Sequence, residues 1–366
     1  MVLVETPHRR GSGARMLPGV CSSVLDTIGR TPLVRLERLT RGRGGSVLVK
    51  LETSNPGLSK KDRIALAILR EARRDGSLRP GQSVVELTSG NTGNGLAVCC
   101  AVLGHPFVAV MSSGNSRERL QMMLALGAQV ELVPQAPGAV RGQVSGADLE
   151  LVEARAAELA ARLGAFRVDQ FHRAAGVAAH DLGTASEALE QLAVSGASVD
   201  AFVDFVGTGG TFAGCARRLK AHSELIKCYV VEPERAAVLR ASLGSQEHGG
   251  GKDAKVGVFK SAGHKIQGGG YAMPQLPFVV EAHRLGHVDG FLTVTDDEAT
   301  AMARRLATEE GILGGFSAGA NVAAALRLLD AGLASSVLAL VCDSGLKYMS
   351  TDLYSGVGAG APPPPT

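Results

Sequence analysis

Short apolar runs alternate along this chain with stretches long and periodic enough to be helices, and that alternation limits the fold more than any other feature. Strands are expected at 47–51, 83–87, 107–111, 130–133, 201–206, 227–231, 291–294 and 337–341. Each is apolar along nearly its whole length, as strands covered on both faces are. Helices are expected between them, at 60–74, 91–103, 116–126, 149–163, 175–192, 211–221, 297–309 and 318–329. Ser116-Arg117-Glu118-Arg119 and Thr295-Asp296-Asp297-Glu298 both look like helix starts, with acids in the first turn. Such alternation builds crossover units and mainly parallel sheets. At ~150 residues per domain, 366 residues fit two α/β layers, changing over near residue 165.

Composition excludes several functions. No apolar run approaches the ~20 residues of a membrane helix. Thirty-eight basic against 35 acidic side chains give a net charge of +3, too balanced for a nucleic-acid partner. Aromatics are 4% with no Trp, which leaves little to stack bases on. The six cysteines show no metal-ligand spacing, and Cys99, Cys100, Cys228 and Cys342 sit inside apolar runs. No metal is expected; buried free thiols in a reducing compartment are. The N-terminus has no secretory apolar stretch. Its three Arg against one acid in residues 1–15 leave organelle targeting open, with the cytoplasm as the expectation. Residues 1–19 and 356–366, rich in Pro and Gly, are expected to be disordered tails.

Glycine is the compositional outlier, 47 of 366 residues against a usual ~7%. Ligands in parallel sheets collect where strand ends turn into helices, and four glycine-rich turns stand at such places. Gly207-Thr208-Gly209-Gly210-Thr211 follows a strand and opens a helix, so its free N–H groups and the helix dipole suit a phosphate. It fails the dinucleotide fingerprint, because Phe212 stands where a third Gly is needed. A tight packing turn would explain the same residues. Thr88-Ser89-Gly90-Asn91-Thr92-Gly93 offers hydroxyls and N–H groups without an acid, an inventory for a carboxylate, or simply a capped helix start. Asn55-Pro56-Gly57-Leu58-Ser59-Lys60-Lys61-Asp62-Arg63 brings two lysines to a first helical turn, where the macrodipole disfavours cations. A Lys there can have a lowered pKa and act as a nucleophile; alone, a solvated surface pair reads better. Gly315-Phe316-Ser317-Ala318-Gly319-Ala320 offers a hydroxyl, or only a helix cap.

In chain order (Asn55–Arg63, Thr88–Gly93, Gly207–Thr211, Gly315–Ala320), with Ile28-Gly29-Arg30-Thr31-Pro32-Leu33-Val34 at the start, His264-Lys265-Ile266-Gln267-Gly268 late and Asp343-Ser344-Gly345 near the end, these motifs resemble the cysteine synthase and cystathionine β-synthase family. That family has the fold type II pyridoxal 5'-phosphate architecture. The resemblance runs from about Val24 to Asp352. It implies two mainly parallel sheets flanked by helices with the cofactor between them: residues 20–53 and 166–355 in a large cofactor domain, 54–165 in a small mobile one. It implies that Lys61 holds the cofactor as a Schiff base, with Lys60, where the family often has Val, facing away. Asn91 would meet the phenolic oxygen, Gly207, Thr208, Gly209, Gly210 and Thr211 the phosphate, and Ser317 the pyridine nitrogen. Thr88, Ser89, Gly90, Thr92 and Gln170 would hold the substrate carboxylate.

The activity so implied is β-replacement. An activated L-serine such as O-acetyl-L-serine loses its β-substituent to give an aminoacrylate, and sulfide adds to form L-cysteine in a homodimeric enzyme. Sister reactions with O-phosphoserine, thiosulfate, cyanide or homocysteine are the alternative, and a catalytically inactive scaffold a remoter one. Four departures bear on the choice. Leu58 and Leu87 stand where the family commonly has Gly and Pro. His172-Arg173 follow Gln170-Phe171 in place of an Asn-Pro-type stretch; if either faces the substrate it adds a cation suited to an anionic donor, and on the surface it would only steer anions. The segment 244–257 reads as an altered glycine-rich loop.

Overall fold

The computed structural model describes residues 19–88, 90–138, 140, 144–244, 263–271, 273 and 275–355. Ser89, both expected tails apart from Gly19, and the altered loop beyond Gly244 lie outside the described residues. A six-stranded sheet is built from β1 (Leu33–Arg35), β2 (Ser46–Leu51), β7 (Ala201–Phe205), β8 (Lys227–Pro233), β9 (Gly290–Val294) and β10 (Ser336–Val341), in the order β1-β2-β10-β7-β8-β9. All its pairings are parallel except β1 with β2. A four-stranded parallel sheet holds β3 (Val84–Leu87), β4 (Phe107–Ser112), β5 (Gln129–Val133) and β6 (Phe166–Arg167), in the order β5-β4-β3-β6.

Each sheet separates two apolar layers, because successive side chains point to opposite faces. Val203 and Phe205 enter one layer of the large sheet and Phe202 and Val206 the other; in the small sheet Val84 and Val85 divide in the same way. This two-sided burial is what the continuous apolar runs encode. The helices that cover the sheets and matter most here are α1 (Lys61–Arg74), α2 (Asn91–Leu103), α3 (Arg117–Ala125), α4 (Gly146–Leu163), α5 (Ala174–Ala179), α6 (Ser186–Ser195), α7 (Gly210–His222), α8 (Val238–Leu243), α9 (Pro277–Arg284), α10 (Asp296–Glu310) and α11 (Phe316–Asp330).

All eight expected strands and eight expected helical stretches are present, with shifts at their ends. Thr295 caps α10 in a reciprocal box with Glu298, as its sequence indicates. Ser116 precedes α3 but makes no side-chain cap; its hydroxyl donates instead to Lys347 O at 2.8 Å. Two strands were not expected. Both β1 and β6 are too short, at three and two residues, to carry a period. Because β6 pairs with β3, the small sheet runs on through Arg167, close to the expected changeover near 165. The single helix expected at 175–192 is interrupted: α5 and α6 flank a π-helical turn at His180–Ala185.

Candidate active site

Four loops meet where the strands end: after β2 and β10 and after β7 of the large sheet, and after β3 of the small one. The loop after β7 becomes the N-terminus of α7, where Gly209 takes φ +82°. Apart from a long 3.5 Å contact from Gly210 N to Thr208 Oγ1, no side chain caps the start of α7, and its first turn has no acid, so its N–H groups remain available to an anion. Close approach demands the glycines. A Cβ on Gly207 would lie 2.7 Å from Gly268 O, and one on Gly209 2.6 Å from a Val279 methyl. Thr211 Oγ1 is 3.1 Å from His180 Nε2, whose Nδ1 is 2.9 Å from Thr184 Oγ1. Burial holds the His180 imidazole well below its usual pKa, so a neutral ring orients this hydroxyl. π-turns often mark functional sites, and His180 opens this one.

After β2, Asn55 ties the lysine turn together by donating to Glu52 O and Ser59 O, at 3.0 and 3.1 Å. The Asp62 carboxylate closes it by accepting from Gly57 N. Leu58 sits at φ +59°, left-handed backbone that favours glycine, which accounts physically for the Gly common at this place. A Cβ on Gly95 of α2 would be about 3 Å from Lys61–Asp62 backbone, so α2 is pressed against the start of α1.

The two lysines are not a solvated pair. Lys60 is buried, with Nζ 2.7 Å from Asp204 Oδ1. Burial opposes its charge, but Asp204 more than offsets this and raises its pKa. Lys61 is partly buried and, among the described residues, its Nζ has no hydrogen-bond or ion-pair partner. Burial, then the Lys60 charge, lowers its pKa from 10.5 to about 8. Facing away from the site is therefore too weak a description of Lys60: it reaches the strand beneath the phosphate-type loop.

After β3, Gly90 takes φ +119° against the Arg119 side chain. Thr88 Oγ1 accepts from Gly90 N and Gly93 N, at 2.9 and 2.8 Å. Its oxygen is thus engaged within its own loop, leaving only its proton for a ligand. Thr92 donates to Gln170 Oε1 at 2.6 Å, and Gln170 Nε2 to Leu87 O at 3.1 Å. The structure brings these two expected partners together from residues 78 apart.

Asn91 is held from both sides. Its Nδ2 donates to Asp343 Oδ2 at 2.7 Å, and its Oδ1 accepts from Lys347 Nζ at 2.8 Å. Lys347 also reaches Gly57 O, at 2.7 Å, and burial lowers its pKa to about 8. Tyr348 donates to Asp343 Oδ2 beneath the Arg119 guanidinium. Gly268 completes the ring of loops, pressing on Gly207 and lying within 4 Å of Asn91 Nδ2 were it to carry a Cβ. Ser317, buried in the first turn of α11, lies beside Cys342. Sequence reasoning gave no role to Asp343, Lys347, His180 or Gly268. Only the surrounding motifs marked Asp343 and Gly268; Lys347 and His180 carried no local signal.

His172 and Arg173 do not supply the suggested cation to this ring. His172 is exposed and pairs with Asp169 at 2.7 Å, while the Arg173 guanidinium lies 4.8 Å from the Phe166 ring centre.

The arrangement fits a phosphorylated aldehyde cofactor: an uncapped helix N-terminus for the phosphate, an unpaired amine of lowered basicity, and an oriented amide and hydroxyl. Comparison with known proteins agrees. The model of a family described as pyridoxal-phosphate dependent enzymes matches residues 24–343. The chain belongs to that family. A cysteine synthase of Staphylococcus aureus is 36% identical over 334 residues, 91% of this chain and 97% of its own. An O-ureido-L-serine synthase of Streptomyces lavendulae is 38% identical over 341 residues, 93% and 94% of the two chains. The solved structure of an O-acetylserine dependent cystathionine β-synthase from Helicobacter pylori superposes with a TM-score of 0.77 at 30% identity, covering 92% of this chain and all of that one. This pyridoxal-phosphate enzyme is thus of the cysteine synthase-like, fold type II kind and acts by β-replacement. Among the described residues no group of side chains could hold a metal, and no helix is long and apolar enough to cross a membrane.

Proposed function

We propose that this enzyme replaces the β-substituent of O-acetyl-L-serine, or a closely similar activated serine, with sulfide to make L-cysteine. The observation that carries the reading is the contrast between the two neighbouring lysines. Lys60 is locked to Asp204, whereas the Lys61 amine is unpaired among the described residues and of lowered basicity. Lys61 would hold the cofactor covalently, and its amine, when free, would take the proton from the substrate Cα. When bound, the cofactor supplies the electron sink for the pair left at that carbon. Ser317, an uncharged partner for the pyridine nitrogen, does not enforce protonation there. Asn91, fixed by Asp343 and Lys347, presents its remaining amide proton to the phenolic oxygen. The Thr92–Gln170 pair, with Ser89, Gly90 and the Thr88 proton, holds the substrate carboxylate. Resemblance extends the proposal to a cytoplasmic homodimer whose smaller domain, 54–165, moves against the larger.

The test crosses O-acetyl-, O-phospho- and unsubstituted L-serine with sulfide, thiosulfate, cyanide and homocysteine, and identifies products by mass. O-acetyl-L-serine with sulfide should give the highest kcat/KM. A different pair exceeding it by tenfold would replace the donor or nucleophile named here, and no product with any pair would favour the inactive scaffold. Borohydride reduction and peptide mapping should place the pyridoxyl group on Lys61.

A further inference from the structure

We propose that Lys60, through its buried ion pair with Asp204, is a positioning residue that ties the amine-bearing start of α1 to the strand launching the phosphate cradle. The pair thereby sets the distance and direction of Lys61 from the anion anchor. The proposal rests on the reading that Lys61 holds the cofactor.

Asp204 lies in β7, where every residue is buried, three positions before Gly207. Its neighbours in the strand are Val203 and Phe205, and an apolar residue would fill this place without the desolvation of a carboxylate. Its ion-pair partner among the described residues is Lys60, 144 positions away, at 2.7 Å. Both ends of the link are held. Lys60 N donates to Cys342 O at 2.9 Å, and Ser59 forms a bridge with Asp343. On the other side, Asn321 of α11 accepts from Phe205 N at 2.6 Å and donates to Leu340 O at 3.0 Å. The lysine turn and the cradle strand both lean on β10 and Cys342, whose thiol also lies 3.9 Å from Asp204 Oδ1, and among the described residues the Lys60–Asp204 pair is the side-chain ion pair that joins them directly. A charged pair specifies length and orientation where two apolar side chains would specify only volume.

The same pair sits beside the reacting amine. The groups facing Lys61 are Lys60, Asp204, Cys342 and Glu86, of which only Lys60 lowers its basicity alongside burial. Asp62 and Arg63 of α1 are turned to Gly57 and to Glu52, and Asp343 to Asn91 and Tyr348. His180, on the packed π-turn, is held neutral.

The experiment compares K60M, D204N and the double variant K60M/D204N with wild type. Binding to each apoprotein is measured for pyridoxal phosphate, which needs both cradle and amine, and for pyridoxine phosphate, an alcohol that needs the cradle alone. Each single variant strands a buried charge and should lower Tm by about 5 °C or more, whereas the double variant removes both charges and should stay within a few degrees of wild type. In the double variant the affinity for pyridoxal phosphate should fall about tenfold or more relative to that for pyridoxine phosphate. The pH at which the bound cofactor's visible band titrates should also move. An unchanged affinity ratio and band in the folded double variant would overturn the proposal, leaving the pair a strut. So would failure of both K60M/D204N and K60V/D204A to fold. Peptide mapping of the reduced wild-type holoenzyme tests the underlying reading separately: a label on Lys60 overturns that reading whatever the variants do.

Discussion

At Gly207–Thr211 the chain offers backbone: N–H groups at an uncapped helix start, glycines that let neighbouring segments approach, and no charge within the loop. At Asn55–Arg63 nearly everything is done by ionised or polar side chains: Asn55, Lys60, Asp62 and Arg63 are all buried and all partnered. If they hold a phosphorylated aldehyde cofactor as proposed, the two regions solve different problems. An anchor must hold a dianion that never reacts, and fixed dipoles do this without moving protons. The reacting end must keep one amine free among charges, so every other charge there needs its own partner. Lys61, without a partner among the described residues, is the exception on which the proposed chemistry depends.

The largest effect should come from putting a charge where the backbone region has none. Gly209→Asp places a carboxylate in the cradle, on φ +82° backbone and against Val279. The dissociation constant for pyridoxal phosphate should rise at least about a hundredfold, equivalent to ~2.8 kcal/mol. Titration of the folded apoprotein reads this, and unchanged affinity would remove the anchor from this loop.

The converse is to remove the unpaired amine. A lysine whose pKa is lowered to about 8 in the folded chain destabilises that chain below pH 8, where it is protonated in both states but buried in one. Lys61→Met should therefore make the apoprotein more stable than wild type at pH 7, by on the order of 1–3 kcal/mol. The gain should shrink between pH 8 and 10.5, as the unfolded lysine also loses its proton. Denaturant melts across that range check the sign; a loss of stability at pH 7 would mean the amine has an unrecognised partner.

Much of this contrast was legible before any coordinates. The cradle is contiguous, so strand, glycines and helix start could be read together. Lys61 was marked by the motif around it. The Lys60–Asp204 link was not, since its members are 144 residues apart and an acid inside Ala-Phe-Val-Asp-Phe leaves no local trace of its partner. Lys347 escaped notice for the same reason: its role depends on Gly57 and Asn91, which the fold alone brings to it. β6 was hidden by brevity, its two residues owing their strand geometry to β3. Leu58 shows a middle case, conspicuous in sequence but explained only by its positive φ.

That strain gives a smaller prediction. Leu58→Gly should be about 1 kcal/mol more stable than Leu58→Ala, because both lose the side chain but only Gly relaxes at φ +59°. Equal stabilities would mean that the turn shifts to accommodate alanine. The smallest effect is expected outside both regions. Arg173→Ala should change the ratio of kcat/KM for O-phosphoserine to O-acetylserine by less than about twofold, since its guanidinium is spent on the Phe166 ring. A larger change would restore an anionic donor to consideration.

The π-turn at His180–Ala185 reaches beyond the hydroxyl it orients. Each residue added to or taken from a helix rotates the remainder of that helix by about 100°. Glu187, one residue into α6, holds Arg63 at 2.7 Å and Lys50 at 2.8 Å, and Gln191 one turn later accepts from Lys50 at 3.0 Å. The wide turn is thus a phase setting: it turns His180 towards the cradle and, within the same few residues, turns two polar side chains towards the buried cations of α1 and β2. Deleting a single residue there would rotate α6 out of register with both, so the six-residue turn is as indispensable to the charge network as any of the charges.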